Sequence, residues 1–159
     1  MTPRSRSGGD PAPTLLLWEI QQTARVAARH FERAVQGAGI STAEFGVLAC
    51  ANDEPGITQA EMARQLHIRP QALTAPIDKL QRRGLLEGTA SGRGRKSRLT
   101  ITVAGRGALD AAWPAIIALN APGNLDMTEQ TARALATRLD RLRRHLTGAP
   151  GPAHRDGSS

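Results

Sequence analysis

"ITQAEMARQLHIRPQALTAPIDKLQRRGLLEGTASGRGRKSRLTIT", residues 57–102, sets two helix starts, a turn and a basic loop in close succession. Thr58 and Glu61 have the spacing of a capping box, in which the hydroxyl accepts from one free helix N–H and the carboxylate turns back to another. Ile57 and Met62 flank that box as a hydrophobic staple. The pattern predicts a short helix ending near Leu66. "HIR" is the turn that follows. Pro70 suits the first position of the next helix, where a missing N–H costs nothing. That second helix is expected to run to Arg83 and stop at Gly84. "LLEGT" and "RLTIT" are β-prone segments on either side of a Gly-rich tip and predict a β-hairpin.

A short helix, a three-residue turn, a second helix and a basic hairpin make a winged helix-turn-helix. The charge supports this reading. The chain carries a net charge of +7, and Arg64, Arg69, Lys79, Arg82, Arg83, Arg93, Arg95, Lys96 and Arg98 are opposed within residues 64–98 only by Asp78 and Glu87. Nine minus two is the whole surplus, and the rest of the chain is neutral. A polyanionic partner is implied. A helix fits the major groove of duplex DNA, and an arginine-bearing hairpin reaches phosphates or the minor groove beside it. Two other readings of "SGRGRKSR" fare worse. A Walker phosphate loop needs a glycine where Arg95 stands and a helix after it. A disordered basic tag would not be flanked by β-prone segments.

Outward from this region the same devices recur. Ser41 and Glu44 form a second capping box, with Ile40 and Phe45 as its staple, and predict a helix over residues 42–52. Before it, Leu16, Ile20, Ala24, Ala27, Phe31 and Ala34 draw one apolar stripe along a helix ending near Gly37. After the hairpin, Thr102 is placed to cap a helix carrying Leu109, Trp113, Ile116 and Ile117. "NAPGN" breaks that helix, and Thr128 starts a last one. Its Ala132, Leu135, Leu139, Leu142 and Leu146 follow a heptad seam. The fold class expected is therefore mainly α, about six helices plus one β-hairpin wing, with a helical dimerisation region. A single domain is expected over residues 14–147. Its DNA-binding part spans about 38–102, and its dimerisation helices about 14–36, 103–120 and 128–147. Residues 1–13 and 148–159, rich in Pro, Gly, Ser and charge, are expected to be disordered tails.

Composition narrows the function classes. Cys50 is the only cysteine, so no intramolecular disulfide framework exists. It sits late in its helix beside Leu48 and Ala49, and a buried inert thiol is expected. His30, His67, His145 and His154 show no ligand spacing, so no metal or other cofactor is expected. No catalytic arrangement stands out, and an enzyme is the weakest class. No apolar run reaches the length of a membrane span, and a cytoplasmic protein without a membrane partner is expected.

"LHIRPQALTAPIDKLQRRGLLE" resembles the recognition helix and wing entry of the MarR (multiple antibiotic resistance regulator) family, above all in "DKLQRRGLL". "TVAGR" matches that family's Thr-x-x-Gly-Arg passage from wing to helix. The order of six helices and one hairpin also matches, over residues 14–147. The resemblance implies a homodimer whose first, fifth and sixth helices pair, with two winged domains on a pseudo-palindromic operator. There are two departures. The family usually has Asp-x-Arg at the wing tip, and here Arg93 and Arg95 hold those positions. Pro76 falls in the middle of the recognition helix, cannot donate to the carbonyl of Ala72, and should kink it.

The expected contacts to double-stranded DNA follow. Gln71, Ala72, Thr74 and Ala75, in the first turns of the recognition helix, are placed for base edges. Arg69, Lys79, Arg93, Arg95, Lys96 and Arg98, with Arg82 and Arg83, are placed for phosphates. The resemblance further implies a small aromatic or phenolic effector, lined here by Trp18, Gln22, Phe45, Leu48, Leu109 and Trp113. The function expected is a sequence-specific transcriptional regulator, a repressor released by such an effector. Its rivals are a structural DNA-coating protein without an effector and a protein-interaction adaptor with an incidental basic patch.

Overall fold

The computed structural model describes residues 15–89 and 97–148. The expected tails, 1–13 and all but the first residue of 148–159, lie outside these residues, as does most of the wing tip. The described chain divides after Leu119 into two compact units.

The first unit begins with α1 (Leu16–Gln36), α2 (Thr42–Asp53), a two-residue strand β1 (Ile57–Thr58) and α3 (Gln59–Gln65). It continues with α4 (Thr74–Arg82), β2 (Leu86–Thr89), β3 (Arg98–Ile101) and α5 (Val103–Leu119). Both capping boxes form. The Ser41 hydroxyl accepts from the Glu44 N–H at 3.2 Å, while the Ser41 N–H donates to the Glu44 carboxylate at 2.7 Å. Thr58 and Glu61 repeat the exchange at 3.3 and 2.8 Å.

The hairpin is antiparallel, with Leu86 opposite Ile101 and Thr89 opposite Arg98. β1 adds a third strand on the far side of β3, pairing Ile57 with Leu99, so the sheet order is β1-β3-β2. The sequence pattern gave no sign of β1, because a two-residue strand has no period and exists only through its distant partner.

Pro76 does not kink the recognition helix. Residues Pro70–Leu73 form a 3₁₀ turn, and the α-helical pitch starts afresh at Thr74. Pro76 therefore lies in the first turn of α4, where backbone N–H groups need no intrahelical acceptor.

One core joins these elements. Val47, Leu48 and Ala51 of α2, Met62 and Ala63 of α3, and Leu73, Ile77 and Leu80 of the recognition segment are buried together. Leu86, Leu99 and Ile101 of the hairpin join them, as do Leu109, Ala112 and Ile116 of α5. The second unit holds a short 3₁₀ turn (Pro122–Leu125) and α6 (Glu129–Gly148), which has no buried residue. The Thr128 hydroxyl accepts from the Thr131 N–H at 3.2 Å, the cap expected there.

The junction after the wing explains the "TVAGR" sequence. The Thr102 hydroxyl accepts from the Gly105 N–H at 3.0 Å and donates to the Gly84 carbonyl at 2.7 Å, tying the start of α5 to the end of α4. Gly105 packs directly on the Leu85 backbone. A Cβ there would overlap the Leu85 carbonyl oxygen and stand 2.8 Å from Ile101 Cγ1. Backbone cannot yield as a flexible side chain can. Gly105→Ala is expected to destabilise the fold by about 3 kcal/mol, read from the denaturant midpoint of purified protein. An unchanged midpoint would show that the contact is slack.

Candidate nucleic-acid interface

The two helices of the helix-turn-helix end alike. After α4, Gly84 adopts φ +68°, the Leu85 N–H returns to the Leu80 carbonyl at 2.9 Å and the Gly84 N–H to Gln81 at 3.0 Å. After α3, the Ile68 N–H returns to the Ala63 carbonyl at 3.0 Å and the His67 N–H to Arg64 at 3.3 Å. Both are Schellman closures, but His67, at φ +55°, takes the left-handed place that glycine normally fills. The turn thus fixes where the recognition helix starts. Gln59, on the first turn of α3, adds a brace by donating to the Pro70 carbonyl at 2.7 Å and the Thr74 hydroxyl at 3.1 Å.

The recognition segment is attached along one edge, through Leu73, Ile77 and Leu80. Gln71, Ala72, Thr74, Ala75, Asp78, Lys79 and Arg82 are exposed, as is Arg69 just before it. The four residues expected at base edges therefore lie on exposed surface. Arg98, on β3, is exposed but held, since its guanidinium donates to the Gly56 carbonyl at 3.1 Å. Arg93, Arg95 and Lys96 lie outside the described residues. An open cleft of about 490 Å³ runs between the recognition helix and the root of the wing, lined among others by Gln59, Gln71, Thr74, Asp78, Ser97 and Leu99.

Lys79 stands apart from the other expected phosphate contacts. Its ammonium lies 3.2 Å from Glu44 Oε1, and the Arg83 guanidinium reaches the same oxygen at 3.5 Å. Glu44 is buried. Burial pushes its carboxyl up, but the Ser41 backbone N–H and the Lys79 ammonium outweigh burial and hold it below the ordinary value of 4.5. Glu44 is legible in the sequence as a helix cap, whereas Gln59 is not singled out by any local pattern. Their roles here depend on partners in other helices, which no local pattern announces.

The six residues expected around an effector are distributed unevenly. Leu48 and Leu109 belong to the core. Phe45 stacks on Trp113 at 5.9 Å and meets Phe31 edge-on at 5.5 Å. Trp18 is exposed on α1 and Gln22 half-buried. Cys50 is buried, and burial followed by the Asp53 charge pushes its thiol up, away from the reactive thiolate. Among the described residues, no three His, Cys, Asp or Glu side chains come together as a metal site. No described helix is long and apolar enough to cross a membrane.

The lowered carboxyl of Glu44 makes stability depend on pH with a definite sign. Its contribution is present above the unfolded value and is lost as pH falls below about 4.5 through the folded one. Urea midpoints measured between pH 7 and pH 3.5 should fall on the acid side, and should fall less in Glu44→Gln. Identical acid profiles would mean that this carboxylate adds nothing.

Comparison with known proteins agrees with this geometry. A sequence model of the MarR family matches residues 38–97. The HTH-type transcriptional repressor Rv2887 of Mycobacterium tuberculosis is 28% identical over 134 residues, covering 84% of this chain and 95% of the relative. The crystal structure of Rv2887 with salicylic acid superposes with a TM-score of 0.65 at 28% identity, covering 84% of this chain and 98% of that one. The M. tuberculosis regulator MosR superposes with a TM-score of 0.69 at 23% identity, over 85% of this chain and 99% of its own, and shares the fold.

Proposed function

We propose that this chain, similar to the MarR family over residues 38–97 and to the repressor Rv2887 over most of its length, is a cytoplasmic, homodimeric MarR-type repressor that binds a pseudo-palindromic operator and is released by a small aromatic acid. One observation carries the DNA-binding part. The exposed residues Gln71, Ala72, Thr74 and Ala75 start a helix that is held from behind by the core, within the segment that supplies the whole positive surplus. Such a surface offers donors and methyl groups to base edges and cations to phosphates. Arg69, Arg98 and the wing-tip Arg93, Arg95 and Lys96 serve the phosphates.

The dimer is supported by apolar surface that a monomer would leave in water. Leu15, Leu16, Leu17 and Trp18 at the start of α1, and Trp113 and Ile117 of α5, are each 44–59% exposed. Leu135, Leu139 and Leu146 of the α6 seam are 40–49% exposed. A second copy covering these faces brings two recognition helices to successive major grooves, about one helical turn apart. The effector class is supported by Rv2887, solved with salicylic acid and with p-aminosalicylic acid. The Phe45–Trp113 stack, with Trp18, Gln22, Leu48 and Leu109, is the site proposed here.

Sedimentation at micromolar concentration should give a dimer, and a folded monomer would refute the assembly. An operator selected from random duplexes should bind more than about a thousandfold tighter than random sequence. A ratio near one would favour the DNA-coating reading, which Arg93 in place of the family's usual Asp supports. Salicylate should weaken operator binding by about 5–150-fold in an anisotropy titration. A change below twofold would remove the effector from the account.

A further inference from the structure

Glu44 is a buried charge that the reading above leaves without a role beyond its helix cap. Its side chain is 2% exposed, while those of its partners Lys79 and Arg83 are 55% and 36% exposed. The carboxylate is the fixed point of this cluster. One oxygen is anchored by the Ser41 N–H at 2.7 Å, and the other faces both cations. The nearby like charge, Glu32 of α1, is occupied by the Thr42 N–H and hydroxyl. Lys79 and Arg83 reach Glu44 Oε1 from α4, so their charges rest where Glu44 sets them.

Their place on the helix gives this pull a consequence. With roughly 100° per residue, Thr74, Asp78 and Gln81 share one flank of α4, and all three line the cleft beside the wing. Lys79 and Arg83 share the opposite flank, which faces α2. Ala75 and Arg82 lie between, opposite the buried edge.

We propose that Glu44 is a positioning residue for DNA recognition, which holds Lys79 and Arg83 against α2 and withholds them from phosphate. This rests on the DNA-binding reading and refines it. Two of the nine cations between Arg64 and Arg98 then answer to a carboxylate outside that segment. Phosphate contact falls to the arginines around them, and sequence-independent attraction is kept low relative to base reading.

Counterion release gives the test, because each phosphate contact contributes about 0.9 to the slope of log affinity against log salt. The full-length chain is titrated with NaCl on a labelled random-sequence duplex, followed by anisotropy. Glu44→Gln removes the charge but keeps a residue that completes a capping box. It should steepen the slope by about 0.9 for each cation released and tighten random-duplex binding several-fold at low salt. Lys79→Met should leave the slope unchanged. A cap with a purely structural role would lower stability without moving the slope. An unchanged slope in Glu44→Gln, or a slope about 0.9 shallower in Lys79→Met, overturns the proposal. Should Glu44→Gln fail to fold by circular dichroism, Lys79→Met combined with Arg83→Met decides, with an unchanged slope expected. A wild-type chain that binds no random duplex at low salt overturns the DNA-binding reading itself, and this inference with it. Wild-type binding with a folded variant that departs from its expected slope overturns the inference alone.

Discussion

The recognition helix hangs from the protein by a single apolar edge. Leu73, Ile77 and Leu80 enter the core, and the other side chains of the segment stay at or near the surface. The roll of such a helix about its axis is set by that edge and by whatever holds its flanks, and the base contacts proposed for Gln71, Ala72, Thr74 and Ala75 depend on it. The structure supplies a hold on each side. Gln59 ties the Pro70–Thr74 backbone and hydroxyl to α3, and Glu44 draws Lys79 and Arg83 toward α2. Below, Thr102 fixes the Gly84 carbonyl where α4 gives way to the wing. The exposed face is thus held at both flanks and at its C-terminal end, although few of its own atoms are buried.

The sequence showed clearly what is decided locally. Ser41 with Glu44 and Thr58 with Glu61 mark helix starts because a capping box is complete within four residues. Gly84 marks a helix end because few other residues take a left-handed backbone without strain. The β-hairpin was legible for the same reason, as two β-prone segments around glycines. What escaped depends on distant partners. β1 exists only because Ile57 meets Leu99. The ion pairs of Glu44 join residues 35 and 39 positions away. Gln59 looks like any polar residue of a first helical turn until the recognition helix is folded against it.

Pro76 illustrates a local rule overridden by local means. Proline inside a helix removes a hydrogen bond, and a kink was the reasonable expectation. The chain instead spends Pro70–Leu73 on a 3₁₀ turn, so that the α-helix begins close enough to Pro76 to need no donor from it. The recognition helix is short as a result, and its first turns, where Gln71, Ala72, Thr74 and Ala75 sit, combine two pitches. This places four exposed side chains on a surface that a continuous α-helix would have spaced differently.

The central claim is that this surface reads DNA as a symmetric pair and does not merely coat it. Both readings share the same basic segment, and they differ in how protection is arranged along a duplex. Hydroxyl-radical footprinting on a long genomic fragment distinguishes them. Discrete sites, each showing two related protections about one helical turn apart, are predicted from a dimer with one recognition helix per half-site. Continuous protection that spreads with protein concentration and shows no paired pattern would contradict it.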